Sequence, residues 1–333
     1  MSKSSRQKLK LLYILDILRT YSDEEHPLSA NEICGYLEQN GIAAERKSIY
    51  SDIEALTDYG YDIIRSFGGK KGFFLATREF EEAEIYLLCD AVRTAKFISP
   101  KKTRELVKKL DSMLSKNQVF LREKNIYFDS SLKCQNEEIY YNIDKISRAV
   151  KENKQIKFNY TSRKLSGRSA ERNVKVMQVS PYALTWQDDH YYLIGNYTKY
   201  DNLMHVRLDR ISGVEILSEK SRHFSEVSEY KDFFDVSDYT AKLFGMHSGE
   251  LETVELRCNK KITEQVFDRF SENIFITNVT ENEFCFSVEA AVSEALVTFI
   301  LNFGDNIKVL KPDSLKEMVR NRVEKVLNLY ENK

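Results

Sequence analysis

Residues 46–71 read RKSIYSDIEALTDYGYDIIRSFGGKK, and this stretch decides how the front of the chain folds. Ile49, Ile53 and Leu56 recur at helical spacing, which predicts a helix from about Glu45 to Tyr59 with those three residues inward. Arg46, Lys47, Ser48, Tyr50 and Ser51 then fall near its N-terminal, outward side, and Gly60 ends it. Two apolar runs follow, Asp62 to Phe67 and Gly72 to Ala76, bracketing Gly68-Gly69-Lys70-Lys71. Apolar runs around a glycine turn predict a hairpin, here with Arg65 in its first arm and two lysines at its tip.

Upstream, Leu11, Ile14, Leu15 and Leu18 predict a first helix starting near Ser5. Pro27 breaks the chain, and Ser29-Ala30-Asn31-Glu32 is a capping-box pattern opening a second helix that stops at Asn40-Gly41. Three helices followed by a basic-tipped hairpin is the plan of a winged helix-turn-helix, whose third helix enters the major groove of DNA. On that plan Arg46, Lys47, Ser48, Tyr50, Ser51, Arg65, Lys70 and Lys71 are the expected contacts to double-stranded DNA.

Beyond residue 78 the pattern stays helical. Glu79, Glu81, Glu82 and Glu84 enrich a first turn before Ile85, Leu88, Val92 and Ala95, and Ser99-Pro100 starts another helix through Leu106, Leu110 and Leu114. A further helix carries Ile139, Ile143, Ile146 and Val150. From Gln155 the period changes: Ile156 to Tyr160, Val174 to Ser180, Tyr182 to Trp186, Tyr191 to Tyr197 and Leu203 to Leu208 read as short antiparallel strands, arguing a small barrel. After about residue 218 a βαββαβ succession, closed by a helix from Ser314 to Leu329, fits a ferredoxin-like sandwich.

Composition narrows the classes. The chain has 333 residues, 42% hydrophobic and 30% charged, with 12 Gly and 4 Pro, which excludes fibrous and disordered readings and predicts several compact domains. No stretch approaches the ~20 apolar residues of a membrane span, so a cytoplasmic protein without membrane partners is expected. Five scattered cysteines without a C-x-x-C pair support neither disulfides nor a metal site. The motifs that cradle phosphate or dinucleotide, hold catalytic zinc or build a serine hydrolase are missing from the sequence, so no catalytic residue, no cofactor and no enzymatic activity are expected. Net charge is −1, yet residues 151–175 hold eight basic side chains against two acidic, the strongest charge anomaly of the chain.

The segment Lys47 to Leu56 resembles the recognition helix of DeoR-like regulators that precede a WYL domain. Ser180-Pro181-Tyr182, His190-Tyr191-Tyr192-Leu193 and Arg207-Leu208-Asp209-Arg210-Ile211 occur in the order and spacing of that domain, with Tyr191-Tyr192-Leu193 matching its eponymous triplet. Gly304-Asp305 and Val309-Leu310-Lys311-Pro312 before the last helix resemble the extension that follows it. The resemblance spans essentially the whole chain. It implies an α+β multidomain architecture: an N-terminal winged helix-turn-helix over 1–78, a helical linker and dimerisation region over 79–136, a small SH3/Sm-like β-barrel (WYL) over 137–218, and a C-terminal ferredoxin-like α/β sandwich over 219–333.

It also implies a ligand-responsive transcriptional regulator, a homodimer whose effector is a nucleotide or single-stranded nucleic acid. In physical terms the middle domain offers an anion Arg207 and Arg210 as guanidinium forks, with His205 on the strand face of Arg207 and with Tyr160, Tyr182 and Tyr192 as stacking walls. Arg163 and Ser180 complete the expected ligand-binding set. Arg210 paired to Asp209 as a strand-end clamp, and Trp186 simply packing, are the plainer readings beside it. A rival class stays open: a nucleic-acid-binding or partner-modulating module without promoter targeting.

Overall fold

A computed structural model describes residues 9–123, 133–166, 169–270 and 274–331. The expected helix start near Ser5, the basic residues Lys3 to Lys8 and Arg168 of the basic run lie outside the described residues. The chain divides into two compact units, Met1–Gln135 and Asn136–Lys333.

In the first unit α1 (Lys10–Tyr21), α2 (Ala30–Gln39) and α3 (Arg46–Tyr59) precede an antiparallel pair, β1 (Ile63–Ser66) and β2 (Gly72–Leu75). The capping box at α2 forms as its sequence requires: the Ser29 hydroxyl accepts from the Glu32 N–H at 3.3 Å, and the Glu32 carboxylate accepts from the Ser29 N–H at 2.8 Å. Gly60 closes α3 in the left-handed region, φ 117°, where a Cβ would be strained. Ile14, Leu18, Ile33, Leu37, Ile49, Ile53 and Leu56 make one buried core, and Phe73 and Leu75 of the hairpin join it.

A reciprocal pair of backbone bonds, Leu28 N to Phe73 O at 2.9 Å and Phe73 N to Leu28 O at 2.8 Å, pins the hairpin to the loop before α2. That approach requires Gly72, since a Cβ there would stand 2.5 Å from the Leu28 carbonyl carbon. Helices α4 (Glu82–Thr94), α5 (Pro100–Asp111) and α6 (Lys116–Glu123) complete this unit around Ile85, Cys89, Val107 and Leu114. Arg78 joins them to α1 by donating to the carbonyls of Arg19, Ser22 and Met113.

The second unit opens with α7 (Ile139–Lys151), which buries Ile139, Ile146 and Ala149. Five antiparallel strands follow: β3 (Lys154–Ser166), β4 (Ser169–Gln187), β5 (His190–Tyr197), β6 (Leu203–Arg207) and β7 (Ile211–Lys220), ordered β6-β5-β4-β3-β7. The small SH3/Sm-like barrel expected here is not seen to close. β6 and β7 are the outer strands, and no ladder joins them among the described residues. Two expected strands, 174–180 and 182–186, are one: Pro181, which lacks an N–H, sits at a register shift rather than a turn. β7 was not among the expected strands, its pattern interrupted by Gly213 at φ 63° beside a register shift.

Because β5 pairs β4 only from residue 179 onward and β7 pairs β3 only up to Tyr160, residues 161–166 and 169–174 form a two-stranded arm that pairs with no other strand among the described residues.

The remainder of this unit follows the βαββαβ succession read from the sequence. β8 (Glu250–Asn259), α9 (Thr263–Phe270), β9 (Phe275–Val279), β10 (Glu283–Val292), α10 (Glu294–Leu301) and β11 (Ile307–Lys311) precede the terminal α11 (Asp313–Glu331). Its antiparallel sheet is ordered β11-β8-β10-β9, so the last strand lies beside the first. Val266, Phe270, Leu296, Val297 and Ile300 of the helices pack on Val254, Leu256, Phe284 and Phe286 of the strands. Between the two sheets, residues 221–249 carry α8 (Val236–Ala241) and a second cluster in which Phe234, Tyr239, Leu243 and Met246 meet Ile194, Leu203 and Ala291. None of the described helices is long and apolar enough to cross a membrane.

Candidate functional site

Each unit carries a group of the expected site residues. In the first, α3 begins with Arg46 and Lys47, both exposed, and no acidic side chain lies in its first turn. Cations at a helix start gain nothing from the dipole, which favours anions there, so these two stand ready for an external anion rather than serving the helix. Arg46 donates to the Tyr50 hydroxyl at 3.3 Å, and the Arg65 guanidinium lies 5.6 Å from the Tyr50 ring centroid and 5.8 Å from that of Phe73. Tyr50 in turn meets Phe73 edge-on at 5.7 Å. Arg46, Tyr50 and Arg65 thereby join the start of α3 to β1 in one cationic, aromatic edge.

The other expected contacts divide. Lys47 and Lys71 are exposed and make no ion pair among the described residues, whereas Lys70 is held by Glu32 at 2.8 Å. Ser48 is committed inward: its hydroxyl donates to the Glu45 carbonyl and accepts from Lys10 Nζ at 2.7 Å. Lys10, 6% exposed, is also ion-paired with Asp52, a buried tie between α1 and α3 that sequence reading missed because a lysine beside an apolar face reads as surface. Ser51, exposed, donates to the Ser48 carbonyl.

In the second unit, four of the eight expected ligand residues converge. Tyr192 of β5 lies opposite Arg207 of β6, and Tyr160 of β3 lies opposite Ile211 of β7. The short 3-10 turn Leu208–Arg210 between β6 and β7 then brings the exposed Arg210 within 3.3 Å of the Tyr160 hydroxyl. Arg207 is clasped by Asp209 through two bonds, Nε to Oδ1 at 3.1 Å and Nη2 to Oδ2 at 2.7 Å, with side chains 25% and 16% exposed. The clamp considered at the sequence level therefore exists, but its arginine is Arg207, leaving Arg210 outward. Burial raises the Tyr192 pKa, opposed by the nearby Arg207. The Asp209 hydrogen bond holds Arg207 even more firmly protonated.

The other four lie elsewhere. Ser180 is fully buried, its hydroxyl accepting from the Arg222 N–H at 3.0 Å. Tyr182 donates to the Arg222 carbonyl at 2.9 Å, packs near Phe224 and Phe234, and is pushed by burial up to about 12. His205 shares a face with Arg207 as alternation requires, but that face is not a polar wall at its position. The segment 221–249 covers it, Tyr239 bonds His205 Nε2 at 2.9 Å, and burial pushes its pKa down to about 4. Arg163 stands exposed on the arm directly opposite Arg172, with Lys164 beside it and Lys175 further along. Opposed like charges destabilise a ladder, which makes this arm a second place that an anion would relieve. Trp186, expected to pack, is 46% exposed.

Comparisons with known proteins bear on both units. Residues 141–216 match the WYL domain, and residues 250–327 match the WCX domain. The chain is 21% identical over 300 residues to a Bacillus subtilis (strain 168) protein described as the uncharacterized HTH-type transcriptional regulator YobV, covering 86% of this chain and 90% of that one. Among solved structures it is similar to proteasome accessory factor B/C (PafBC) of Arthrobacter aurescens, at 17% identity and a TM-score of 0.29, covering 97% of this chain and 49% of the other. The chain thus spans about half the length of that solved chain.

Proposed function

We propose that this chain, a WYL-domain transcriptional regulator, grips duplex DNA with α3 in the major groove and with β1–β2 as the wing, and that an anionic effector bound in the second unit tunes the grip. The observation that carries the reading is the edge built by Arg46, Tyr50 and Arg65, with Lys47 exposed at the helix start. Phosphate contacts of this kind supply most of the affinity of a small module, and the outward side chains of α3 read base edges. Arg46, Lys47, Arg65 and Lys71 are the strongest contacts in this reading. Lys70 joins on release from Glu32, Tyr50 supports Arg46 and Arg65, and Ser48 and Ser51 contribute from the same turn.

The effector site is Tyr160, Tyr192, Arg207 and Arg210, with Arg163 of the arm as a separate anion contact, three residues from Tyr160 and so on the other face of the strand. Guanidinium forks beside two tyrosine rings suit a nucleotide or a short single strand. Ser180, Tyr182 and His205 support the fold around that site. Regulation follows only if the effector binds the DNA-competent and incompetent arrangements unequally. A homodimer would present two recognition helices to half-sites about one helical turn apart.

The test is fluorescence anisotropy with three probes, the chain's own upstream duplex, a random duplex and a short single strand, each at two salt concentrations. The reading expects the upstream duplex to bind tightest and the single strand to shift that affinity. Equal affinity for both duplexes, with the single strand bound tightest, would support the rival module without promoter targeting.

A further inference from the structure

A cavity of about 520 Å³ opens in the second unit, bordered by Asp188 of the β4–β5 turn, by Phe244, by Arg269 of α9 and by Glu294, Thr298 and Phe299 of α10. Its volume is that of a small-molecule site. None of the effector-site residues named above lines it.

Arg269 is what makes the cavity more than a packing defect. Its guanidinium lies 4.2 Å from the Phe244 ring centroid, and Nη2 donates to the Leu243 carbonyl. No carboxylate stands within ion-pair distance of it among the described residues, although burial opposes its charge. Two other half-buried arginines are held differently: Arg207 has the Asp209 clasp, and Arg78 has three carbonyls. Nη2 is taken by the Leu243 carbonyl, so the remaining donors of the fork are open to an anion that enters the cavity.

The walls set the rest of the ligand. Phe299 and Ala295, both half-buried, supply an apolar surface suited to a ring, while Phe244 is buried beneath the guanidinium with its centroid 5.1 Å from that of Phe299. One guanidinium balances one negative charge, and the carboxylates of Asp188 and Glu294 border the same space, with Glu294 ion-paired to Arg322. A dianion would meet both carboxylates with one arginine to offset it. A planar monoanion meets the same two carboxylates with half the charge, and Arg269 balances that charge one to one.

We propose that this cavity binds a small aromatic carboxylate, its carboxylate forked by Arg269 and its ring laid against Phe299 and Ala295. The site is independent of the DNA reading and adds a second ligand input to the same unit as the Arg207–Arg210 cluster.

The experiment is saturation-transfer NMR and calorimetry on the full chain with benzoate, benzamide and phenyl phosphate. Benzoate is expected to bind saturably, and benzamide, which lacks the charge, at least about tenfold more weakly, since a charge-assisted pair is lost. Phenyl phosphate should also bind more weakly than benzoate. Arg269→Lys should weaken benzoate about tenfold, because the fork becomes a point charge. Thr298→Trp, which fills the mouth without touching Arg269, should abolish binding with an unchanged melting temperature, and it decides the matter if the Arg269 variant is unstable. No benzoate binding at millimolar concentration, benzamide equal to benzoate, phenyl phosphate tighter than benzoate, or indifference to Thr298→Trp would each overturn the proposal.

Discussion

Asp209 holds Arg207 in a bidentate clasp only two residues along the chain, across the turn that joins β6 to β7. The pair sits at the centre of the proposed effector site, so an incoming phosphate and the Asp209 carboxylate compete for one guanidinium. Asp209→Asn should free Arg207 and tighten a pentathymidylate probe several-fold, at a cost of about 1 kcal/mol in stability for a pair of this exposure. Calorimetry on the two proteins measures it. Weaker binding by the variant would mean that Asp209 positions Arg207 rather than withholding it.

His205 makes stability depend on acid. Its folded pKa of about 4 lies below the unfolded value of 6.5, so the unfolded chain binds the extra proton between those limits. This contribution is fully present above pH 6.5 and is lost as pH falls toward 4, amounting to at most about 3 kcal/mol. Urea midpoints of wild type and His205→Gln, taken at pH 7.5, 5.5 and 4.5, should converge as acidity rises. Parallel curves would show that the imidazole is not held neutral.

The buried tie between α1 and α3 predicts a large, recoverable loss. Lys10→Met strands the Asp52 carboxylate, 18% exposed, and should cost about 3 kcal/mol. Adding Asp52→Leu should restore much of it, because an apolar pair replaces an ionic one of similar volume. Denaturant unfolding of both variants distinguishes this from simple additivity, which would give a still less stable double mutant.

Gly72→Ala places a methyl group against the Leu28 backbone at a separation no real contact tolerates. The Leu28–Phe73 pair should open, releasing the hairpin from the helices, with melting lowered by several degrees and duplex affinity reduced. Unchanged melting with unchanged DNA binding would remove the hairpin's proposed role as a wing.

Much of this molecule was legible in its residues because local signals and tertiary packing agree. The Ser29–Glu32 box, the αL glycine after Tyr59 and the strand-helix alternation beyond Thr253 are each settled by neighbours within a few positions. What escaped reading depends on partners far along the chain. β7 is a strand because β3 offers it a ladder, while Gly213 hides its period. Tyr182 and His205 look like pocket residues until Phe234 and Tyr239, from a segment with no strong pattern, cover them. Arg207 and Asp209 stand two apart, the spacing of one strand face, and that was the available signal for the clasp. Arg269 carried none: its significance comes from the cavity beside it.

The central claim is that α3 and the hairpin hold duplex DNA through their cationic side chains, and the salt dependence of binding tests it most directly. Anisotropy titrations of the upstream duplex across about 50 to 200 mM salt should give a log-log slope of magnitude up to about 9 if a dimer engages five cations per protomer. Lys47→Ala and Arg65→Ala should each lower that magnitude by about one per charge removed, hence about two per dimer. A flat salt response, or variants whose slopes match wild type, would contradict the account.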